Sequence, residues 1–596
     1  MDDLTTTRRR FLAYFSGAGL TSTLFPGALW ASMQAQEAQE VSASMILQSA
    51  AVSGLELSEE QAEAMAEGVN RNLRGYASLR TFSLDNSVAP PIHFSALVPG
   101  MEVDREQRPF RMSSSAGVER PSDLEDAAFW PLTDLAELIR TRQVTSVELT
   151  EMYLARLKRH NPTLNFVVTF TDELALSEAR RADSEIAAGG YRGPLHGIPW
   201  GAKDIIAVKG YPTTWGSNAF KEQVTGFEAT VVAQLREAGA VLIAKLTTGE
   251  LASGDRWFGG RTRNPWDPSA GSSGSSAGPA SATRAGCVGF AIGTETSGSI
   301  LSPSIACGTT GLRPTYGRVS RYGAMTLRWT GDRLGPLCRT AEDCALVLQA
   351  IARPDERDPS VLDIPFNWNA DLDVRTLRVA VLEDAFAEDP SKGDDWKAND
   401  RRALDQLRGL GIEMTPVSTP LREFPTDALR ALSAESTAAF DEFLRQGRET
   451  ELSRPGRGAG WRVGRTVPAV EYLQAQRVRG LMMAELSEAL GDFDVFVAPY
   501  MDSRGYLRGE PPAGRGAGGE RPSGPPPVRP ATSQFFQLAN TACYPAVAVR
   551  HGLGEGGLPT GFVFVGKPFT EGKILTAAKA YQDATDFHLE RPPLGA

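Results

Sequence analysis

The chain has 596 residues, 41% of them hydrophobic and 22% charged, with a net charge of −10. This is ordinary globular composition with ample apolar sequence for a large core, and its acidic balance argues against a nucleic-acid binder, which would carry a basic patch or stripe. Lysine is scarce, ten residues against fifty-two arginines, so any lysine in an apolar setting stands out.

At the N-terminus, Thr7-Arg8-Arg9-Arg10-Phe11-Leu12 resembles a twin-arginine export signal and opens a mostly apolar stretch that runs to Trp30. Pro26, Gly27 and a length at the low end for a span argue against a stable transmembrane helix. Residues 1–35 are therefore expected to be an export signal. The mature chain is expected in the periplasm, tethered there if the signal is not cleaved. Residues 45–125 read as a helical extension and linker. Ser58 and Gln61 form a capping-box pair, and Ala62, Met65, Val69 and Leu73 follow at helical spacing. Residues 89–125, rich in Pro, Ser and mixed charge, read as a linker or strap. This extension is suited to capping a site, forming a homodimer or strapping the main domain.

Residues 126–590 read as the main domain. Thr145 and Glu148 form a second capping box, followed by Leu149, Met152, Tyr153 and Leu157 and an expected stop at Asn161-Pro162. Residues 229–238 predict a helix ended by Gly239, and Ala240 to Ala244 a short buried strand. The apolar runs Gly286 to Ile292 and Leu377 to Leu382 predict further strands. Alternating helices and buried strands predict an α/β domain with a substantial sheet. Two segments, 453–465 and 504–530, are rich in Gly, Pro and Arg. The second is expected to be a disordered insertion or a substrate-facing loop, since Pro511-Pro512 and Pro525 to Pro527 oppose a regular element. Cysteines at 287, 307, 338, 344 and 543 make an odd set without a C-x-x-C pair, which leaves a cysteine zinc site unsupported.

Chemistry concentrates between Asn264 and Ser304. Gly271-Ser272-Ser273-Gly274-Ser275-Ser276-Ala277-Gly278 is flanked by apolar structured sequence, which excludes a plain flexible linker. No Gly-Lys-Ser/Thr follows, which excludes a P-loop. Gly274 to Gly278 matches G-x-S-x-G, but Pro268 to Ser273 cannot form the strand that a nucleophile elbow needs. A serine nucleophile still needs a base. Lys203, in Gly197-Ile198-Pro199-Trp200-Gly201-Ala202-Lys203-Asp204, and Lys245, within Val241 to Leu246, are both candidates. Burial would favour the neutral amine of either one, and composition does not choose between them.

The order of motifs does. Gly197-Ile198-Pro199 through Lys203-Asp204, Asn264-Pro265-Trp266-Asp267-Pro268 and Thr294-Glu295-Thr296-Ser297-Gly298-Ser299-Ile300 occur in sequence. Gly311-Leu312-Arg313-Pro314-Thr315, Gly335-Pro336-Leu337 and Gly557-Leu558-Pro559-Thr560-Gly561 follow. Together they resemble the amidase-signature family from about Leu132 to Ala584. The resemblance implies a mixed central β-sheet flanked by helices and a Ser–Ser–Lys triad, with Ser299 as nucleophile, Lys203 as base and Ser275 as the bridging serine. Ser275 stands at the family's usual interval before Ser299, where the more conspicuous Ser272 would need a shift. In the family the bridging serine follows a cis peptide bond, here Gly274–Ser275. Backbone N–H groups of Thr296, Ser297, Gly298 and Ser299 are expected to hold the oxyanion. Ser297 departs from the family's usual glycine, and Leu301 from the arginine common in glutamine-using amidotransferases. The expected function is hydrolysis of a small-molecule amide without metal or cofactor. The alternatives are a non-catalytic binding protein on the same scaffold and one subunit of an amidotransferase.

Overall fold

The apolar runs of the sequence assemble into strands that lie side by side in one sheet. The structure is a computed structural model describing residues 41–52, 57–79, 86, 93–387, 389, 392–509 and 530–594. The expected export signal at 1–35, and residues 510–529 of the proline-rich segment, lie outside the described residues. In chain order the strands are β1 (Val167–Phe170), β2 (Pro199–Lys203), β3 (Val241–Leu246), β4 (Arg256–Trp257), β5 (Gly260–Arg261), β6 (Phe290–Glu295) and β7 (Thr310–Arg313). They continue with β8 (Arg333–Cys338), β9 (Val379–Leu382), β10 (Met414–Val417), β11 (Val495–Pro499), β12 (Ala546–Leu553) and β13 (Pro559–Gly566). Eleven of them form a mixed sheet in the order β1-β3-β2-β6-β8-β7-β12-β13-β11-β9-β10, while β4 and β5 pair separately. The parallel pairs are β3/β2, β2/β6, β11/β9 and β9/β10. Strands β2, β3 and β6 are buried along their whole length, as expected of strands covered on both faces. The α/β fold with a mixed, helix-flanked sheet is thus the one expected.

The chain divides into two compact units. Among the described residues, one comprises those within Met1–Pro90, Thr326–Arg328 and Asp427–Val478; the other comprises those within Pro91–Met325, Trp329–Thr426 and Arg479–Ala596 and contains the whole sheet. In the smaller unit, the helices Ala43–Val52 and Glu59–Leu79 share a core of Val41, Ile46 and Ala62. The Ser58–Gln61 box is formed in both directions, at 2.8 and 3.2 Å. Met65, on the expected apolar stripe, is exposed. Among the described residues no helix is long and apolar enough to cross a membrane.

Two local expectations change. The helix capped by Thr145 and Glu148 runs from Ser146 to Leu164, through Pro162. Proline there removes a single N–H in the last turn. Asn165 closes the helix in the left-handed conformation, and Asn161 Oδ1 accepts the N–H groups of Phe166 and Val167 at 3.0 and 2.9 Å. The strand expected from Gly286 begins only at Phe290. The carbonyls before it are taken by arginines: Arg156 binds those of Ala285 and Gly286, and Arg339 those of Val288 and Gly289, at 2.6–3.0 Å. The Gly/Arg-rich segment at 453–465 is a helix, Pro455–Gly464. Pro455 suits a first helical turn, and Trp461 anchors the helix by stacking on Phe440 with ring centroids 4.5 Å apart.

Register separates the two candidate lysines. Lys245 of β3 pairs with Ala202 of β2, and Lys203 pairs with Leu246. Successive side chains alternate faces along a strand, so Lys203 and Lys245 project to opposite faces of the sheet. Alternation also sends Asp204 away from Lys203. Its carboxylate lies 2.7 Å from Lys245 Nζ, with both side chains fully buried. Lys245 further donates to Pro212 O at 3.0 Å and to Thr213 Oγ1 at 2.9 Å. Lys245 is therefore the structural member of the pair of lysines. Lys245→Met leaves Asp204 buried without its counter-charge and is expected to lower stability by about 3–5 kcal/mol, read as a shifted midpoint in denaturant unfolding.

Candidate active site

The site grows from the ends of two parallel strands. Strand β2 ends at Lys203, and its neighbour β6 ends at Thr294-Glu295. Between β5 and β6 the chain carries Gly271 to Ser276 into the helix Ala277–Arg284. The Gly274–Ser275 peptide is cis. Gly274 has no room for a side chain, because a Cβ there would collide with Gly254 O.

Lys203 is wholly buried, and its amine meets only neutral oxygens. Nζ lies 2.8 Å from Ser275 Oγ, 2.8 Å from Thr294 Oγ1, 3.2 Å from Ser276 Oγ and 3.4 Å from Thr294 O. Burial pulls its pKa down to about 7, against a partial upward pull from Asp332 and Glu295. An amine in this state is a proton acceptor near neutral pH. Ser276 is itself fixed by both backbone groups of Thr294: its hydroxyl donates to Thr294 O at 3.1 Å and accepts Thr294 N–H at 3.2 Å.

Strand β6 leads into the turn Thr296–Ser299 and then the helix Leu301–Cys307. Ser299 is half-buried, and its carbonyl accepts the N–H of Ser276 at 3.1 Å. This bond ties the turn directly to the serine doublet beside Lys203. Gly298 adopts φ 87°, a left-handed conformation open to glycine. Among the described residues, the N–H groups of Ser297, Gly298 and Ser299 have no hydrogen-bond partner. The next two N–H groups do: Ile300 and Leu301 donate to Glu295 Oε2 at 2.8 and 3.0 Å.

A buried polar network holds this turn. Arg313 Nη1 is 2.9 Å from Glu295 Oε1, with both side chains buried. Burial pushes the Glu295 pKa up, but Arg313 and Arg333 outweigh it and keep the carboxyl below its usual range. Asn540 donates to Thr296 O at 2.9 Å and accepts from Arg333 at 2.7 Å, while Thr296 Oγ1 donates to Asp332 at 2.6 Å. Sequence reasoning brought out Lys203, Ser275 and the Thr296–Ser299 turn. It did not bring out Thr294 and Ser276 as partners of the amine, nor Glu295, Asp332 and Arg333 as supports of the turn. Thr294 and Glu295 lay within the quoted motif, and Ser276 beside Ser275. Asp332 and Arg333 carry no local signal. Ser272, the rival to Ser275, is packed away from Lys203: its N–H donates to Thr262 O at 3.2 Å and its carbonyl lies 3.6 Å from Cys307 Sγ. All five cysteines are buried free thiols. Among the described residues no group of three or more His, Cys, Asp or Glu side chains is placed to hold a metal ion.

Known proteins share this arrangement of chain. A family model described as Amidase matches residues 148–575. A glutamyl-tRNA(Gln) amidotransferase subunit from Methylococcus capsulatus is 35% identical over 494 residues, covering 77% of this chain and 98% of that protein. The solved structure of the native peptide amidase from Stenotrophomonas maltophilia is 29% identical with a TM-score of 0.66, covering 79% of this chain and 99% of that one. The corresponding glutamyl-tRNA(Gln) amidotransferase subunit from Thermotoga maritima, also a solved structure, is 25% identical with a TM-score of 0.62, covering 80% of this chain and 99% of that one. The chain is therefore a member of the Amidase family, the amidase-signature enzymes, which act on carbon–nitrogen bonds as hydrolases or amidotransferases.

Proposed function

We propose that the chain is a self-sufficient amidohydrolase that cleaves an amide through an acyl-enzyme on Ser299. The observation that carries this reading is the buried, carboxylate-free amine of Lys203, 2.8 Å from Ser275 Oγ. Neutral Lys203 takes the proton of Ser275, which takes that of Ser299 as Ser299 Oγ attacks the acyl carbon. The oxyanion forms against the N–H groups of Thr296, Ser297, Gly298 and Ser299; removing one such donor typically costs about 10²–10³ in rate. The relayed proton returns to the leaving amine, and water then cleaves the acyl ester by the same route reversed. The roles parallel those of a serine–histidine–carboxylate triad, with lysine as the base.

A second reading, one subunit of an amidotransferase, is favoured by the name and near-complete coverage of the relative from Methylococcus capsulatus. Two sequence features weigh against it: Leu301 stands where glutamine-using amidotransferases commonly carry arginine, and Arg8–Arg10 opens an export-like signal. On our reading the mature enzyme works in the periplasm. The likeness to a peptide amidase makes peptide amides the first substrates to screen.

The purified chain alone is expected to release ammonia or an amine from an amide, and a fluorophosphonate probe is expected to label Ser299. Labelling should vanish in a folded Ser299→Ala variant. Wild-type protein that resists the probe and turns over no amide would favour a non-catalytic scaffold, whereas release that needs added protein partners would favour the amidotransferase. The base sets the pH dependence. Because the competent form of Lys203 is the neutral one and its pKa lies at about 7, kcat/KM should fall about tenfold per unit as pH drops below that value. Lys203→Ala should abolish turnover at every pH; full turnover in that variant would remove lysine from the mechanism.

A further inference from the structure

The helix that begins beside Ser275 and Ser276 ends in Arg284, whose side chain is 3% exposed. Its Nη1 donates to His588 O at 2.9 Å. Among the described residues, its Nε and Nη2 find no acceptor and no carboxylate pairs with it. These two nitrogens share one edge of the guanidinium, the side-on fork that grips an anion with two parallel N–H groups. A buried polar group without a partner is costly, and a buried charge more so.

The surroundings add positive charge without cancelling it. Arg284 and Arg550 both lie over the ring of Trp266, with guanidinium carbons 5.1 and 4.3 Å from its centroid. Arg550 is satisfied by Glu590, by Phe587 O at 3.0 Å and by Gly552 O at 3.2 Å. Glu590 is thereby spoken for. Arg339, whose charge also acts on Arg284, gives both Nη groups to the carbonyls of Ala128, Val288 and Gly289, while its Nε has no partner among the described residues. Burial, then Arg550 and Arg339, pull the Arg284 pKa down to about 9. His588 Nδ1 is a second buried nitrogen without a partner among the described residues, in the residue whose carbonyl holds Arg284.

We propose that Arg284 is the receptor of one small monovalent anion of the chloride class, held by Nε–H and Nη2–H beneath Trp266. A single negative charge matches the Arg284 guanidinium, which has no carboxylate partner among the described residues. A dianion would bring a second charge, and Arg550 is already paired with Glu590.

The test uses the full chain. Thermal unfolding is followed at constant ionic strength while sodium chloride replaces sodium gluconate. Binding to the folded state alone raises the midpoint with the logarithm of chloride once the site is titrated. This rise is expected in the wild type and should be lost in Arg284→Met. Crystals soaked in bromide should show an anomalous peak beside Arg284 Nε and Nη2. A flat chloride response in the wild type, an equal response in Arg284→Met, or bromide at other places only would each overturn the proposal. Should Arg284→Met not fold, the wild-type bromide map decides alone.

Discussion

The site depends on keeping one buried amine away from every carboxylate around it. Lys203 is followed directly by Asp204, and Glu295 and Asp332 are close enough to raise its proton affinity. A carboxylate in contact with Nζ would hold the ammonium and raise its pKa. Each acid is engaged elsewhere. Asp204 pairs with Lys245 on the face of the sheet opposite Lys203 and also accepts the hydroxyl and N–H of Thr214. Glu295 is bound by Arg313 and by the N–H groups of Ile300 and Leu301. Asp332 accepts from Thr296. Lys245 holds Asp204 on the other face of the sheet, and burial is what pulls the Lys203 pKa down.

The same engagements build the rest of the machinery. Glu295 is the last residue of β6, so its pairing with Arg313 of β7 locks the exit of the strand to the sheet. Its second oxygen collects Ile300 and Leu301 and folds the chain tightly enough that the N–H groups of Ser297, Gly298 and Ser299 are left pointing elsewhere. A preorganised donor set of this kind loses little to reorganisation when charge develops. Arg333 and Asn540 hold Thr296 O from the other side. One ion pair therefore serves two ends: it withdraws a carboxylate from Lys203 and shapes the turn that carries Ser299.

How much of this was legible in the sequence follows from how local each determinant is. The capping boxes, the strand after Gly239 and the motif order are local and were readable. The motif order singled out Lys203; the different surroundings of Lys203 and Lys245 come from strand register, which no local pattern carries. The start of β6 was misplaced because Arg156 and Arg339, distant in sequence, take the carbonyls that would otherwise join a ladder. The Gly/Arg-rich stretch at 453–465 hid a helix for a similar reason. Gly464 lies against Thr437, where a Cβ would collide with the hydroxyl, so this glycine is a close-packing residue. Asp332 and Arg333 stand more than thirty residues beyond the turn they support, and nothing near them in sequence announces that role.

Two adjacent positions of the Thr296–Ser299 turn show why one departure from the family pattern is tolerated and another would not be. At 297 the family's glycine is a serine, and the structure leaves that side chain exposed while its backbone keeps a conformation any residue can adopt. The backbone N–H of Ser297 stays without a partner among the described residues. At 298 the backbone lies at φ 87°, and a Cβ would meet Ser302 Oγ at 3.0 Å, Tyr500 Oη at 3.3 Å and Phe536 Cζ at 3.4 Å. Ser302 and Tyr500 are themselves 2.7 Å apart and hydrogen-bonded, so neither gives way without losing its partner. Strain and crowding act together at 298 and are both absent at 297. The turn therefore needs its second glycine for geometry, and its first position is free to vary with whatever the enzyme admits.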